Sequence, residues 1–285
     1  MMRKILFKLL AGPIGRIIGH RNLVRYGEFV ARAGRLDFPN DPNENGEALV
    51  QSIVLGETKD DPVVVVDCGA NVGNWTLELC NRHDSSSGDQ RLAVFCFEPS
   101  NFTYNQLCTT INKISSEGVV LTPVNMALSS INGESSLSIV HAGAGTNSLI
   151  PIPGIGVETE ETVSLTTLDS FMEQRNVSKI TFLKIDTEGH DAAVLEGAKR
   201  LIAQNRVSII QFEYNWRWIY GNYLLHGVYE ELSKSGYHIG KITPRGIQFY
   251  PRYDAALETF EEANYLACTS SWRAKFPEVD SWKRR

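Results

Sequence analysis

The sequence predicts an α/β fold: a doubly wound, mostly parallel seven-stranded sheet with an N-terminal helical appendage. Three observations predict it. Short apolar runs suited to buried strands alternate with helical patterns along the chain. Val63–Val66 and Leu92–Phe97 contain no polar side chain apart from the Cys96 thiol, as strands covered on both faces do. Glycines follow the first of these runs at once, at Gly69 and Gly73, ahead of a helix. Strand, tight turn and helix N-terminus together aim free N–H groups at whatever sits over the strand end.

Composition sets the bounds. The chain has 285 residues, 42% hydrophobic and 21% charged, ordinary for a globular protein. That length suits one large α/β domain or a domain with an appendage. A net charge of −5 gives no reason to expect nucleic acid as a partner. The five cysteines, Cys68, Cys80, Cys96, Cys108 and Cys268, include no C-x-x-C pair. They read as reduced core thiols in a reducing, cytoplasmic setting, not as a disulfide frame or zinc site. No stretch reaches the length of a membrane span.

The first 35 residues stand apart. Arg3, Lys4, Lys8, Arg16, Arg21, Arg25, Arg32 and Arg35 face a single acid, Glu28, and apolar residues lie among them. A helical cap packed on the domain, a peripheral membrane-surface helix and a transit peptide all fit this pattern. Lys8 interrupts the apolar run and no small-residue cleavage site follows, which argues against a signal peptide. Phe38–Asn45 is a proline- and asparagine-rich linker. The chain therefore divides into a basic helical appendage with linker, residues 1–45, and a domain, residues 46–285.

In order, Gly46–Leu55 predicts the helix before the first strand. Strand one, Val63–Val66, ends at Asp67, and a helix begins at Trp75. The polar insert His83–Asp89 reads as a surface loop. Strand two ends at Glu98, where Pro99, lacking an N–H, stops the ladder. Asn101–Ile114 is the next helix, Val119–Leu128 contains strand three and its exit, and Glu134–Val140 is an extra short strand. His141–Gly156, rich in Gly, Pro, Asn and Ser, is a long loop of the kind that often binds or covers a ligand. Ser164–Phe171 leads into a short helix. Strand four is Ile180–Asp186, followed by an amphipathic helix over Asp191–Gln204. Strand five is Val207–Glu213, and a helix over Tyr229–Ser235 is closed by Gly236. Tyr237–Ile242 and Tyr265–Cys268 supply the last two strands, with a polar excursion between them.

In such sheets ligands bind outside the carboxyl ends of the strands. Asp67, Glu98, Asp186 and Glu213 all fall there, costly for a core and intelligible for a site. Glu98 is placed to accept hydrogen bonds from a ribose diol. Gly69-Ala70-Asn71-Val72-Gly73 departs from the dinucleotide pattern because Asn71 replaces the second glycine, the one that admits a pyrophosphate. That argues against NAD and for S-adenosylmethionine, which has no phosphate. A nicotinamide oxidoreductase and a catalytically silent cofactor-binding or interaction protein remain the alternatives.

The turn D-x-G-x-N-x-G resembles that of class I, Rossmann-like methyltransferases. With it, Phe97-Glu98-Pro99, Leu183–Asp191 (LKIDTEGHD) and Val194–Ala198 (VLEGA) resemble the FkbM family of methyltransferases; Gln211–Asn215 and Asn264–Ala267 do so more weakly. The likeness runs from about Gly46 to Thr269. It implies S-adenosylmethionine-dependent O-methylation of a hydroxyl on a sugar, lipid or secondary metabolite. The expected cofactor residues are Asp67, Gly69, Ala70, Asn71, Gly73, Asn74, Glu98, Pro99, Ser100, Asn125, Ala127 and Asp186. The expected acceptor is a small molecule, a sugar or a lipid-linked hydroxyl.

Methyl transfer to a hydroxyl needs a general base within hydrogen-bond reach, or a metal. His190, Glu188 and Asp186 are the candidate catalytic residues. His190 lies near a helix N-terminus, where the dipole favours the neutral ring, and an unperturbed histidine titrates near 6.5; a capping histidine is the plainer reading. Asp186, Glu188, His190 and Glu213 would tolerate a divalent cation, but no pair has diagnostic spacing, and no metal is assigned. The run Tyr214, Trp216, Trp218, Tyr220, Tyr223 suits a packed flap or a stacking platform.

Overall fold

The computed structural model describes residues 2–37, 44–58, 62–86, 90–114, 116–141, 143 and 145–282. Eleven strands form in chain order: β1 (Val63–Cys68), β2 (Leu92–Phe97), β3 (Val119–Val124), β4 (Ala127–Leu128), β5 (Gly133–Ile139), β6 (Thr159–Thr166), β7 (Ile180–Ile185), β8 (Val207–Tyr214), β9 (His238–Thr243), β10 (Gly246–Tyr250) and β11 (Ala263–Cys268). The main sheet runs β10-β9-β11-β8-β7-β1-β2-β3. From β3 to β8 neighbours pair in parallel; β8 with β11, β11 with β9 and β9 with β10 pair antiparallel. A second sheet, β4-β6-β5, stands beside it.

The valines of β1 show why the parallel half forms. Val66 joins one apolar cluster and Val63 and Val65 the other. Alternate side chains of one strand thus feed two cores, as the period of two requires. All eight residues of β8 are buried. β3 is an edge, and so tolerates Pro123.

The main sheet has eight strands where the sequence predicts seven, and it is mixed. The addition, β10, lies inside the expected polar excursion. Pro244 and Arg245 read as loop, yet they form the two-residue turn of a β9–β10 hairpin. Ile247 N–H then bonds to Pro277 O and Val279 N–H to Ile247 O, so the C-terminal segment covers this edge. β6 also hides, because Thr159–Thr162 carries two glutamates on an exposed stretch and only its second half is buried.

Four helices differ in extent, the slightest being Asn101–Ile111, which stops three residues short of Ile114. Glu47–Glu57 forms as expected. The helix from Asn74 continues through Ser86, and His83 is buried against Gln90 O rather than sitting in a surface loop; residues 87–89 of that insert lie outside the described residues, as do 38–43 of the linker. The helix expected over Asp191–Gln204 breaks into Asp191–Gly197 and Lys199–Ala203. Asp169 accepts from Arg200 N and Leu201 N, both at 2.9 Å, and so caps the second piece separately. The last expected helix starts earlier, at Leu225, and ends at Lys234 before Gly236 with φ of 84°.

The appendage is helical over Met2–Leu9, Gly15–Ile18 and His20–Arg35, with a kink at Gly12, where φ is −98° and ψ −107°, between the first two. It is not a packed cap: among residues 2–35 only Gly15 is buried.

Gly69 fixes how β1 meets β7. At φ of 77°, a Cβ there would stand 1.8 Å from Asp186 O. Gly69→Ala is therefore expected to destabilise the fold by about 3 kcal/mol or more. Gly227→Ala, in a helix with open space at its Cβ, should be neutral or mildly stabilising. Urea denaturation of both variants checks the contrast.

Candidate active site

The carboxyl ends of β1, β2 and β7 converge on a cleft of about 200 Å³. Its floor begins with the turn after β1. Gly69, Asn71 and Gly73 all take positive φ, at 77°, 50° and 90°. Gly69 N and Ala70 N donate to Phe97 O at 3.0 and 2.9 Å, which ties the turn to β2. Glu98 completes the tie: its two carboxylate oxygens accept from Asn71 N and Ser100 N, each at 3.0 Å. Burial pushes the Glu98 carboxyl up to about 7 despite those two bonds.

β7 supplies the second wall. Lys184 is buried at the strand's end, with Nζ 3.2 Å from Asp67 Oδ1, 3.5 Å from Asp186 Oδ2 and 3.3 Å from Gly69 O. Burial alone would depress this ammonium, but Asp67, Asp186 and Glu47 outweigh it and raise its pKa. Asp186 N donates to Cys68 O at 3.0 Å. Thr187, Glu188 and Gly189 then turn the chain sharply, with φ of 56° at Glu188 and 102° at Gly189. The glutamate in that left-handed conformation is held on both sides. Ser148 Oγ donates to its carbonyl at 2.9 Å, and Arg217 Nη1 lies 2.9 Å from its carboxylate. Burial, with Asp186 adding to it and Arg217 opposing it, raises Glu188 to about 8.

His190 is the N-cap residue of the next helix and lines the cleft. Its Nε2 lies 3.0 Å from Ser129 Oγ. Burial lowers its pKa to about 4, well below the near-neutral value expected for an unperturbed ring. It is neutral at physiological pH, and its titration lies far to the acid side.

The loop after β5 closes the cleft through Gly145, Asn147, Ser148 and Leu149. Ser148 pairs with Ser138 by two backbone bonds, and Arg217 reaches Thr146 O at 3.5 Å. The long loop is therefore fastened to the Glu188 turn as well as to its own strand.

Of the expected cofactor residues, Gly69, Asn71, Glu98, Pro99, Ala127 and Asp186 line the cleft, as do the catalytic candidates Asp186, Glu188 and His190. The others stand behind it. Asp67 is fully buried, accepting from Thr76 Oγ1 at 2.7 Å and paired with Lys184. Ala70 is buried, Gly73 packs against Leu107, and Asn74 is exposed at a helix start. Ser100 supports Glu98 through its N–H. Asn125 braces the same corner by donating to Glu98 O at 3.0 Å and Pro99 O at 2.9 Å. Glu213 does not reach the cleft; it is buried, holds Asn215 Nδ2 at 2.7 Å, and is driven to high pKa by burial and by Asp186. In the aromatic run, Tyr214 and Trp218 are fully buried and packed together, whereas Trp216 and Tyr220 are partly exposed. Among the described residues no three His, Cys, Asp or Glu side chains group to hold a metal ion.

Sequence reasoning missed Lys184, Arg217 and Glu47. Glu47 accepts from Asn45, Gln211 and Asn264 side chains and fixes its helix to β8 and β11. The signal for Lys184 was present: a lysine flanked by Phe182, Leu183 and Ile185 in a buried strand requires a buried counter-charge.

The model of the methyltransferase FkbM domain matches residues 67–239, more than half of the chain. The chain belongs to the FkbM methyltransferase family. It is 29% identical over 169 residues to the hexuronic acid methyltransferase AglP of Haloferax volcanii, covering 58% of this chain and 62% of that protein. The chain thus spans about three-fifths of that curated relative. Among solved structures it is similar to methyltransferase FkbM from Methylobacillus flagellatus KT, at 17% identity and a TM-score of 0.46, over 72% of this chain and 43% of that one. A second is magnesium protoporphyrin IX methyltransferase (ChlM) from Synechocystis PCC 6803 with bound SAM, at 11% identity and a TM-score of 0.40, over 79% and 80%. The FkbM domain of this chain is an α/β fold built on a mixed sheet.

Removing the ammonium at the centre of the site tests its electrostatics. Lys184→Met leaves Asp67 buried without its counter-charge and should cost about 3–5 kcal/mol. Adding Asp67→Asn should recover much of that loss. Urea midpoints of the single and double variants measure it.

Proposed function

We propose that this FkbM protein transfers a methyl group from S-adenosylmethionine to a hydroxyl of a sugar, most plainly a sugar acid. The observation that carries this reading is the placement of Glu98 and His190 in one cleft, at the ends of β2 and β7. The residues present fit the cofactor. Each Glu98 oxygen accepts one backbone N–H and retains a lone pair for a ribose hydroxyl. Asn71 Oδ1 is buried without a hydrogen-bond partner in the described residues, so a donor group is missing there. Phe97, Met126, Leu128 and Leu137 give an apolar wall for a flat base, and the part-exposed Asp186 suits a cationic amine.

S-adenosylmethionine supplies a methyl group on a positively charged sulfur. The chain's own task is to hold the acceptor hydroxyl and take its proton. In the tautomer whose Nε2–H donates to Ser129 Oγ, 3.0 Å away, Nδ1 carries the lone pair that receives the proton. Glu188 and Arg217 flank the turn that positions the ring. The similarity to a hexuronic acid methyltransferase supports a carboxylated sugar as acceptor.

His190→Ala should lower turnover by roughly 10²–10⁴-fold with little change in cofactor affinity. Methyl-labelled cofactor with a panel of glucuronic and galacturonic acid glycosides measures it. With the base at pKa of about 4, the acid limb of kcat should fall near pH 4. A limb near 8 would instead assign the proton to Glu188.

Cofactor affinity should respond separately. A ribose diol favours the ionised Glu98, so binding should weaken as pH falls through about 7. One unit below that value the loss approaches about tenfold. Calorimetry with S-adenosylmethionine at pH 6 and 8 should show this in the native chain and not in Glu98→Gln.

A further inference from the structure

Among the described residues, none buries the apolar side chains of the N-terminal arm. Eleven of the nineteen exposed large apolar side chains of the described residues lie between Met2 and Val30. In the helix His20–Arg35, Arg21, Arg25, Glu28, Arg32 and Arg35 fall within one arc at 100° per residue. Leu23, Tyr26, Val30 and Ala33 fall on the opposite side, with Tyr26 67% and Val30 49% exposed. Met2–Leu9 repeats the pattern, with Met2, Ile5, Leu6 and Leu9 on one side and Arg3, Lys4 and Lys8 away from it. A helix with one apolar and one arginine-rich face, and no buried residue, meets the requirements of an interface helix on an anionic bilayer.

The root of the arm fixes where it stands. Arg32 Nη2 lies 2.6 Å from Glu261 Oε2, and Lys241 Nζ donates to Arg35 O at 2.7 Å and to Asp37. β11 runs antiparallel to β8 with Ala263 opposite Tyr214, so Glu261 lies beyond the carboxyl end of β8. The cleft lies on the same carboxyl-end side of the sheet, at β1, β2 and β7. The neighbouring Glu262 is near enough to push up the Glu188 and Glu213 carboxyls. Trp216, Ile219 and Tyr220, exposed just after β8, add apolar surface on the same side.

We infer that residues 2–35 dock the protein on an anionic lipid surface, apolar faces toward the acyl boundary and Arg21 and Arg25 toward headgroup phosphates, while Arg32 and Arg35 stay paired with Glu261 and Asp37. The cleft side of the sheet is then held close to the bilayer, where a lipid-linked hydroxyl would be within reach. Docking itself does not depend on methyl transfer, so its test needs no acceptor.

The full chain is sedimented with vesicles of phosphatidylcholine alone and with phosphatidylglycerol added. Binding to the mixed vesicles only, weakened by salt, is expected. Arg21→Glu with Arg25→Glu should reduce partitioning by about tenfold or more, and Tyr26→Asp with Val30→Asp should abolish it. Both variants should keep the native melting temperature, since none of these side chains is buried. Failure to bind anionic vesicles, or equal binding to neutral ones, would overturn the inference. So would a native dimer that the same variants convert to monomer, since a second copy would then cover the arm.

Discussion

A single buried ammonium holds the site together. Lys184 sits where β1 and β7 end side by side, and it contacts Asp67, Asp186 and the carbonyl of Gly69 at once. Asp67 belongs to β1, Gly69 to the turn after it, and Asp186 to the exit from β7. The three elements that make the cleft floor are therefore joined through one charge. The close approach of Gly69 to Asp186 O is the steric counterpart of that junction. Neither charge of the Asp67–Lys184 pair has an alternative in solvent, because both are buried.

Burial sets the electrostatics of the cleft. Glu98 and Glu188 are raised to about 7 and about 8, each first by burial. A carboxyl whose folded pKa lies above its unfolded value contributes stability at low pH and loses it as pH rises through the folded value. Between pH 4.5 and about 8 these two groups therefore work against the fold as they ionise. A cation bound beside them would relieve that opposition. A cleft lined by Glu98, Asp186 and Glu188 is suited to a positively charged ligand, and poorly suited to a pyrophosphate.

The parts of the site that were legible in the sequence are those whose role is local. The glycine turn, the acid at the end of β2 and the Asp186–His190 turn each follow directly from residues adjacent in the chain. Tertiary partners were not legible. Asp67 and Glu213 share the strand-end pattern of Glu98, yet one is spent on Lys184 and Thr76 and the other is buried with Asn215. Arg217 joins Glu188 only because the segment after β8 folds back over the turn. The His190 titration was misplaced for the same reason: burial depends on what packs around the ring. In the fold, the parallel half was readable from its valine- and isoleucine-rich strands. β10 and β6 were not, because a Pro-Arg turn and two glutamates conceal strands whose burial comes from distant segments.

Titration calorimetry of the native chain at pH 8, with S-adenosylhomocysteine and separately with NAD, tests the central reading most directly. One-to-one binding of S-adenosylhomocysteine, with no heat from NAD, is the result that the turn at Asn71 and the carboxylate-lined cleft predict. Binding of NAD without S-adenosylhomocysteine would contradict it.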